Sequence, residues 1–222
     1  MNMRHEACLT LLLLAPLGCG SVTEVRLDPA GWQFSDPAAF AWRDTAEGVR
    51  ELALTRTADY RPPVRAPQGI ALSTDGSFAD FEIEAVVRQD GREYPHRDLC
   101  IFFAYRDATH FGYAHLASSA DDNAHGVFLV DGAPRRQVTT ARSTGVAFGA
   151  PTEWHRVRVV RAGDDLRVWF DDGVEPVLIA DARAFGSGHV GFGSFDDTGA
   201  LRSFVCRGES APNPAGPLFT PR

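Results

Sequence analysis

The stretch Trp154-His155-Arg156-Val157-Arg158-Val159-Val160-Arg161 decides the fold class. Arg156 and Arg158 fall on one face and Val157 and Val159 on the other, the period of two that marks a strand with one wet and one dry side. A turn-forming cluster, Gly163-Asp164-Asp165, follows; then come Leu166-Arg167-Val168-Trp169-Phe170 and a second cluster, Asp171-Asp172-Gly173. Strand, turn, strand, turn reads as consecutive antiparallel hairpins.

Working outward, Phe81-Glu82-Ile83-Glu84-Ala85 alternates in the same way, with Glu82 and Glu84 on a solvated face. Helical periodicity is nearly absent from the rest. Runs rich in β-branched and aromatic residues predict strands near Arg50–Thr57, Gln68–Ser73, Phe78–Arg88, Leu99–Tyr105, Phe111–Leu116 and Gly126–Val130. The same reading predicts Arg136–Thr140, His155–Arg161, Leu166–Phe170, Val177–Ala180, His189–Ser194 and Leu201–Arg207. That is an all-β chain, expected to fold as a two-sheet antiparallel sandwich. Trp154 and Trp169 are large enough to fill the space between sheets, and Gly191 and Gly193 permit a close approach or a bulge.

The chain start has another character. Arg4 precedes Leu9-Thr10-Leu11-Leu12-Leu13-Leu14-Ala15-Pro16-Leu17-Gly18-Cys19, the layout of a secretory signal. The apolar run is shorter than the roughly 20 residues that cross a hydrocarbon core. Leu17-Gly18-Cys19-Gly20 resembles the lipobox of bacterial lipoproteins, although Pro16 stands where that motif prefers an aliphatic residue. The resemblance implies acylation of Cys19, a lipid membrane as partner, and a periplasmic or cell-surface location. An ordinary cleaved signal with an incidental cysteine is the competing reading.

The chain has 222 residues, 44% hydrophobic and 23% charged with 15 Phe, enough for a globular core in one domain. The expected division is a signal over 1–18, a lipid tether and linker over 19–30 with the first strand between Cys19 and about Gly31, the sandwich over 31–207 and a Pro-rich frayed tail over 208–222. The net charge of −7, with no basic block, argues against nucleic acid as a partner. All 22 basic residues are Arg, so lysine nucleophiles and Schiff bases are excluded. Cys100 and Cys206 remain after processing and are read either as a disulfide or as two buried thiols; their spacing forms no zinc motif.

Glu153–Val159, then Leu166–Phe170 with Asp171-Asp172-Gly173, then Gly188-His189-Val190-Gly191-Phe192-Gly193-Ser194-Phe195 and a last short strand, resemble the concanavalin A/laminin G superfamily. Phe78-Ala79-Asp80-Phe81-Glu82-Ile83-Glu84 is similar to a strand of that superfamily and of its bacterial relative, the 3-keto-disaccharide hydrolase family. The resemblance implies a jelly roll and a carbohydrate partner. The laminarinase-type members carry Glu-x-Asp-x-x-Glu; the nearest match, Glu82-Ile83-Glu84-Ala85-Val86-Val87, lacks the third carboxylate. Where the 3-keto-disaccharide hydrolases often have Asn-Ser-Gly, this chain has Asp98-Leu99-Cys100. No Gly-x-Ser-x-Gly elbow is present.

The densest polar cluster runs from His96 to Arg136. On a strand over Phe111–Leu116, Phe111, Tyr113 and His115 share one face. An aromatic plane beside imidazole and carboxylate suits a sugar, so His96, Asp98, Tyr113, His115, His125 and Arg135 are the candidate ligand-binding residues. Asp121 and Asp122, with Asn123, offer hard oxygens for Ca²⁺, against the reading of a plain Asx turn. His96, His115 and His125 would have to converge to hold a transition metal.

The leading expectation is an exported carbohydrate-recognition module. A glycoside hydrolase or lyase, with His115 or His125 as general base, is the alternative. A protein-adhesion module is a third reading, and it requires a large exposed apolar patch.

Overall fold

The computed structural model describes residues 22–220; the expected signal and Cys19 lie outside the described residues. Fifteen strands account for the fold. They are β1 (Val22–Arg26), β2 (Trp32–Phe34), β3 (Phe40–Asp44), β4 (Arg50–Leu54), β5 (Gly69–Gln89), β6 (Asp98–Asp107), β7 (His110–Ala117) and β8 (Gly126–Asp131). After them come β9 (Arg136–Gln137), β10 (Thr139–Arg142), β11 (His155–Ala162), β12 (Asp165–Phe170), β13 (Leu178–Asp181), β14 (Gly188–Ser194) and β15 (Gly199–Ser210). No described helix is long and apolar enough to cross a membrane.

The hairpins stand where their turn residues put them: β11 pairs β12 and β12 pairs β13, all antiparallel, with Gly163 at φ 58° in the first turn. One expected break is missing. Thr74-Asp75-Gly76 reads as a turn, yet β5 runs through it for 21 residues. Its first half pairs β14 and β2, and its second half lies between β11 and β15. The β14 register passes from Ser73 to Phe78 across these residues, so residues 74–77 bulge out of the ladder while the paired stretches on either side keep the chain extended.

β5 therefore belongs to both layers of an antiparallel sandwich. One layer runs β2, β5, β14, β6, β7, β8, β9; the other runs β13, β12, β11, β5, β15, with β1 and β4 beyond. Val138 links the far ends: its N–H donates to Val127 O at 2.9 Å and its carbonyl accepts from Asp181 N–H at 3.2 Å, so the sheet nearly closes on itself.

The main core lies between the layers and is filled by Phe78, Phe81, Phe103, Phe192 and Phe204 among others. Trp32 takes part, edge-on to Phe204 at 5.3 Å between ring centroids. Trp154 and Trp169 do not fill this space. Trp169 alternates with the buried Leu166, Val168 and Phe170 and so faces outward under Arg158, while Trp154 is held between Arg88 and Arg202. Gly191 and Gly193 do serve a close approach: a Cβ at either would lie within 2.0 Å of a β5 carbonyl oxygen.

The segment over 19–30, expected to hold a tether and the first strand, contains β1, which pairs β15 from Val22 opposite Glu209 to Arg26 opposite Val205. One expected boundary changes. The segment expected as a frayed tail is docked: Ala211 N–H donates to Ser77 O at 2.8 Å, and Tyr105 hydroxyl donates to Leu218 O at 3.1 Å. Leu218 is buried, and Phe219 packs on Tyr60 and Tyr105. The reason is a second apolar cluster on the outer face of the β5–β14–β6–β7–β8 layer, formed by Ile70, Leu72, Phe102, Phe111, Phe128 and Val130, which has to be covered. Cys206 lies in the main core and Cys100 in this outer cluster, and both are free thiols.

Leu218→Ala should lower stability by about 2 kcal/mol, the usual loss for a buried leucine, as read by urea denaturation. A tail that did not pack would leave the transition unmoved.

Candidate functional site

β6 and β7 pair so that Cys100 lies opposite His115 and Asp98 opposite Ala117. Alternation then turns Asp98, Cys100, Tyr113 and His115 to the outer face of the layer, toward its buried end. β14 lies on the other side of β6 and ends at Ser194, so the Phe195–Asp197 segment returns to Asp98.

Asp98 is the centre of this network, and it is almost fully buried. One carboxylate oxygen accepts from the Ser194 hydroxyl and from Phe195 N–H at 3.3 Å; the other meets His115 Nε2. Asp98 N–H donates to Asp197 Oδ2 at 2.9 Å, which also accepts from the Tyr94 hydroxyl at 2.8 Å. Asp197 N–H closes the loop onto Ser194 Oγ at 3.0 Å. A buried carboxylate survives only with such partners. Here aspartate bridges serine and histidine. In a nucleophilic triad histidine bridges the other two, so Ser194 is not an activated nucleophile.

Arg135 covers the other end of the group. Its guanidinium lies between the rings of Phe128 and Phe195, 4.5 and 4.4 Å from their centroids. It donates to the Tyr113 hydroxyl at 2.9 Å and to Asn123 O at 2.7 Å. Tyr113 is wholly buried, stacked on Phe128 at 5.4 Å, so it offers no ring face to a ligand. The β-strand alternation that places Tyr113 beside His115 also places both under the apolar cover.

The structure thus brings together Asp98, Tyr113, His115 and Arg135, and sets the other candidates apart. His96 is half exposed and pairs with Asp121 Oδ2 at 2.8 Å. The other oxygen of Asp121 accepts from Asn123 N–H at 2.7 Å and Ala124 N–H at 2.8 Å, the geometry of an Asx turn, and Asp122 points to solvent. Asp121 is therefore committed to its own loop, and the pair forms no Ca²⁺ cage. His125 is fully buried at φ 52°; its Nδ1 accepts from Ala117 N–H, and its Nε2 bonds Ser143 Oγ at 2.9 Å. Burial, with His115 nearby, pushes it down to about 4. It is a neutral structural histidine, not a general base.

Sequence reading missed Tyr94, Ser194, Phe195 and Asp197. The only sequence signal was the polar run Ser194-Phe195-Asp196-Asp197 at a strand end, which also fits an ordinary turn. Burial, with the Asp98 and Asp196 charges, raises Asp197 to about 6.

Beside Arg135, a cleft of about 420 Å³ is lined by Tyr60 to Ala66, Gln68 and Phe195. Arg135 N–H donates to Arg65 O at 3.3 Å, fixing the wall between the two. A larger cleft of about 760 Å³ lies between Gly91–Glu93 and Thr144–Pro151. Of its two arginines, Arg92 lies over the Tyr94 ring and Arg97 is held by Gln89 and by Gly149 O.

The architecture is that of solved carbohydrate-associated β-sandwiches. The chain is similar to the carbohydrate binding module CBM66 from Bacillus subtilis, with 18% identity, 78% of this chain and 92% of that one covered, and a TM-score of 0.53. A putative glycosyl hydrolase from Parabacteroides distasonis aligns at 12% identity over 80% of this chain and 98% of that one, TM-score 0.50. A GH43 protein, BlXynB from Bacillus licheniformis, aligns at 11% identity over 79% of this chain and 36% of its own length, TM-score 0.52. At these identities the likeness is one of fold, and it bears out the jelly-roll expectation. No protein-family model matches the chain, and no curated protein matches it in sequence.

Two buried groups oppose each other in pH. Asp197, raised from 3.8 to about 6, adds stability at low pH that is lost as pH rises through about 6. His125, lowered from 6.5 to about 4, adds stability above about 6.5 that is lost as pH falls toward 4. Between about pH 4 and 6, Asp197→Asn should therefore make stability rise more steeply with pH than in the wild type, and His125→Gln should make it fall, each by up to about 1 kcal/mol per unit. Denaturation midpoints across this range read both slopes.

Proposed function

We propose that this protein is a carbohydrate-recognition module, exported and held at a membrane by acylation of Cys19. The observation that carries the reading is the Arg135 clamp on Phe195, the aromatic residue that lines the cleft. A guanidinium fixed between Phe128 and Phe195, together with Gln68 and Arg65 of the cleft wall, sets polar groups around a half-exposed aromatic ring. Such groups bond sugar hydroxyls while the ring covers C–H faces. Fixed donors lose little entropy on binding. The fold is one that a named carbohydrate binding module also uses. His96 and Asp196 are exposed polar side chains, whereas Asp98, Tyr113 and His115 act from beneath by holding Arg135 and Phe195 in place.

A second reading is a glycoside hydrolase or lyase, in keeping with the resemblance to the 3-keto-disaccharide hydrolases. Asp197 favours it, because a carboxyl near 6 beside a second raised carboxyl, Asp196, suits general acid chemistry. Adhesion to protein is the weakest reading: among the described residues Val174 is the one large hydrophobic side chain standing fully in solvent.

A glycan array paired with a hydrolysis screen tests both readings. Saturable glycan binding without turnover, weakened at least about tenfold in Arg135→Ala, is the expected outcome, with Phe195→Ala behaving alike. Sugar release abolished in Asp197→Asn would move the protein to the hydrolase class. An array with no bound glycan overturns the carbohydrate reading. For the anchor, radiolabelled palmitate should enter the wild-type chain and be absent from Cys19→Ser.

A further inference from the structure

We propose that Asp98, Cys100 and His115 form a site for a thiophilic transition metal of the Zn²⁺ class. Each offers one donor atom within 4.8 Å of the other two, and all three residues are buried. The register produces the site: Cys100 and His115 are direct cross-strand partners, and Asp98 lies two residues before Cys100 on the same face. One sulfur, one imidazole nitrogen and one carboxylate oxygen form the donor set that tetrahedral Zn²⁺ accepts, leaving a fourth position open. Ca²⁺, a hard cation, takes no sulfur.

The histidine of the cluster is turned to serve it. Its Nε2 meets Asp98 Oδ2, so Nε2 is the nitrogen that would ligate beside the carboxylate. Nδ1, on the far edge of the ring, is buried without a hydrogen-bond partner among the described residues, so no protein group ties the ring to another orientation. The bracing expected around a ligating carboxylate is also built. Asp98 Oδ1 is held by the Ser194 hydroxyl and Phe195 N–H, so that Oδ2 is the oxygen aimed at His115. Binding converts the Cys100 thiol to a metal thiolate, and its proton leaves to solvent. The thiolate and the Asp98 carboxylate together balance a divalent charge. The rings of Tyr113, Phe128 and Phe195, 5.8 to 6.2 Å from that of His115, wall the site from water, so the ion is expected to load during folding.

The full chain, stripped with EDTA, is loaded either in the folded state or by refolding with Zn²⁺ or Co²⁺, then dialysed. The expected result is one retained equivalent of Zn²⁺ and, with Co²⁺, a thiolate-to-cobalt charge-transfer band in the near ultraviolet. Cys100→Ser should lose the band, and His115→Gln should weaken binding at least about tenfold. Cys8→Ser, Cys19→Ser and Cys206→Ser should keep both signals. If Cys100→Ser fails to fold, the wild-type spectrum decides. A wild type that gives neither band nor retained metal by either route overturns the proposal, as does a band that persists in Cys100→Ser. Metal uptake is measured without glycan, so its failure leaves the carbohydrate reading standing.

Discussion

Every layer of this molecule leans on the backbone of β5. A strand of 21 residues has donors and acceptors along both edges, and inside a sandwich water cannot satisfy them. β14 and β2 take the first half, and β11 and β15 take the second. The two layers are thus hydrogen-bonded into one sheet rather than merely packed face to face. This explains two glycines of β14: Gly191 and Gly193 press against β5 carbonyls, where any side chain would collide. It also fixes where β14 ends, and so where Ser194 and Asp197 meet Asp98.

The polar network at that meeting point is shaped by the cost of a buried charge. Asp98 is surrounded by a hydroxyl, an imidazole and a backbone N–H because a bare carboxylate there would not be tolerated. Its consequences reach the surface. The network holds Phe195, and Phe195 both packs on Arg135 and lines the neighbouring cleft. The residues that would touch a ligand and the residues that hold them are therefore different sets. The docked tail sharpens the distinction, since Leu218 and Phe219 cover the aromatic face of the sheet and leave contact to the rim.

Arginine supplies all of the basic chemistry, and the structure uses its planar form. Guanidinium groups stack on Trp154 from two sides, on Trp169, and on Phe128 and Phe195 together. A lysine ammonium, a point charge on a flexible stem, would not lie flat between two rings while also making directed bonds to Tyr113 and Asn123. On the outer face of the second layer the same residue type pairs with Glu82 and Glu84, which form a solvated ladder remote from Asp98.

Alternation and turn residues were enough to read the sandwich from the chain. Arg156 and Arg158 against Val157 and Val159 fixed a face, and Gly163 and Gly173 marked the hairpins, because these are local properties with a period of two. Most strands after Arg50 follow from that rule. β2 and β3 do not, since Trp32–Phe34 and Phe40–Asp44 are short and gain their conformation from β5 and β4. The site was legible in part: Asp98, Tyr113, His115 and Arg135 meet as their shared region of sequence suggested. Alternation can say that Tyr113 and His115 share a face, but not whether that face is open. Ser194 and Asp197 reach Asp98 from 96 and 99 residues away in sequence, and part of the cover over the aromatic face comes from the chain end. Which side chains lie on one face is set by the backbone period and can be read in order. What lies across from that face is set by long-range packing, and only the tertiary structure decides it.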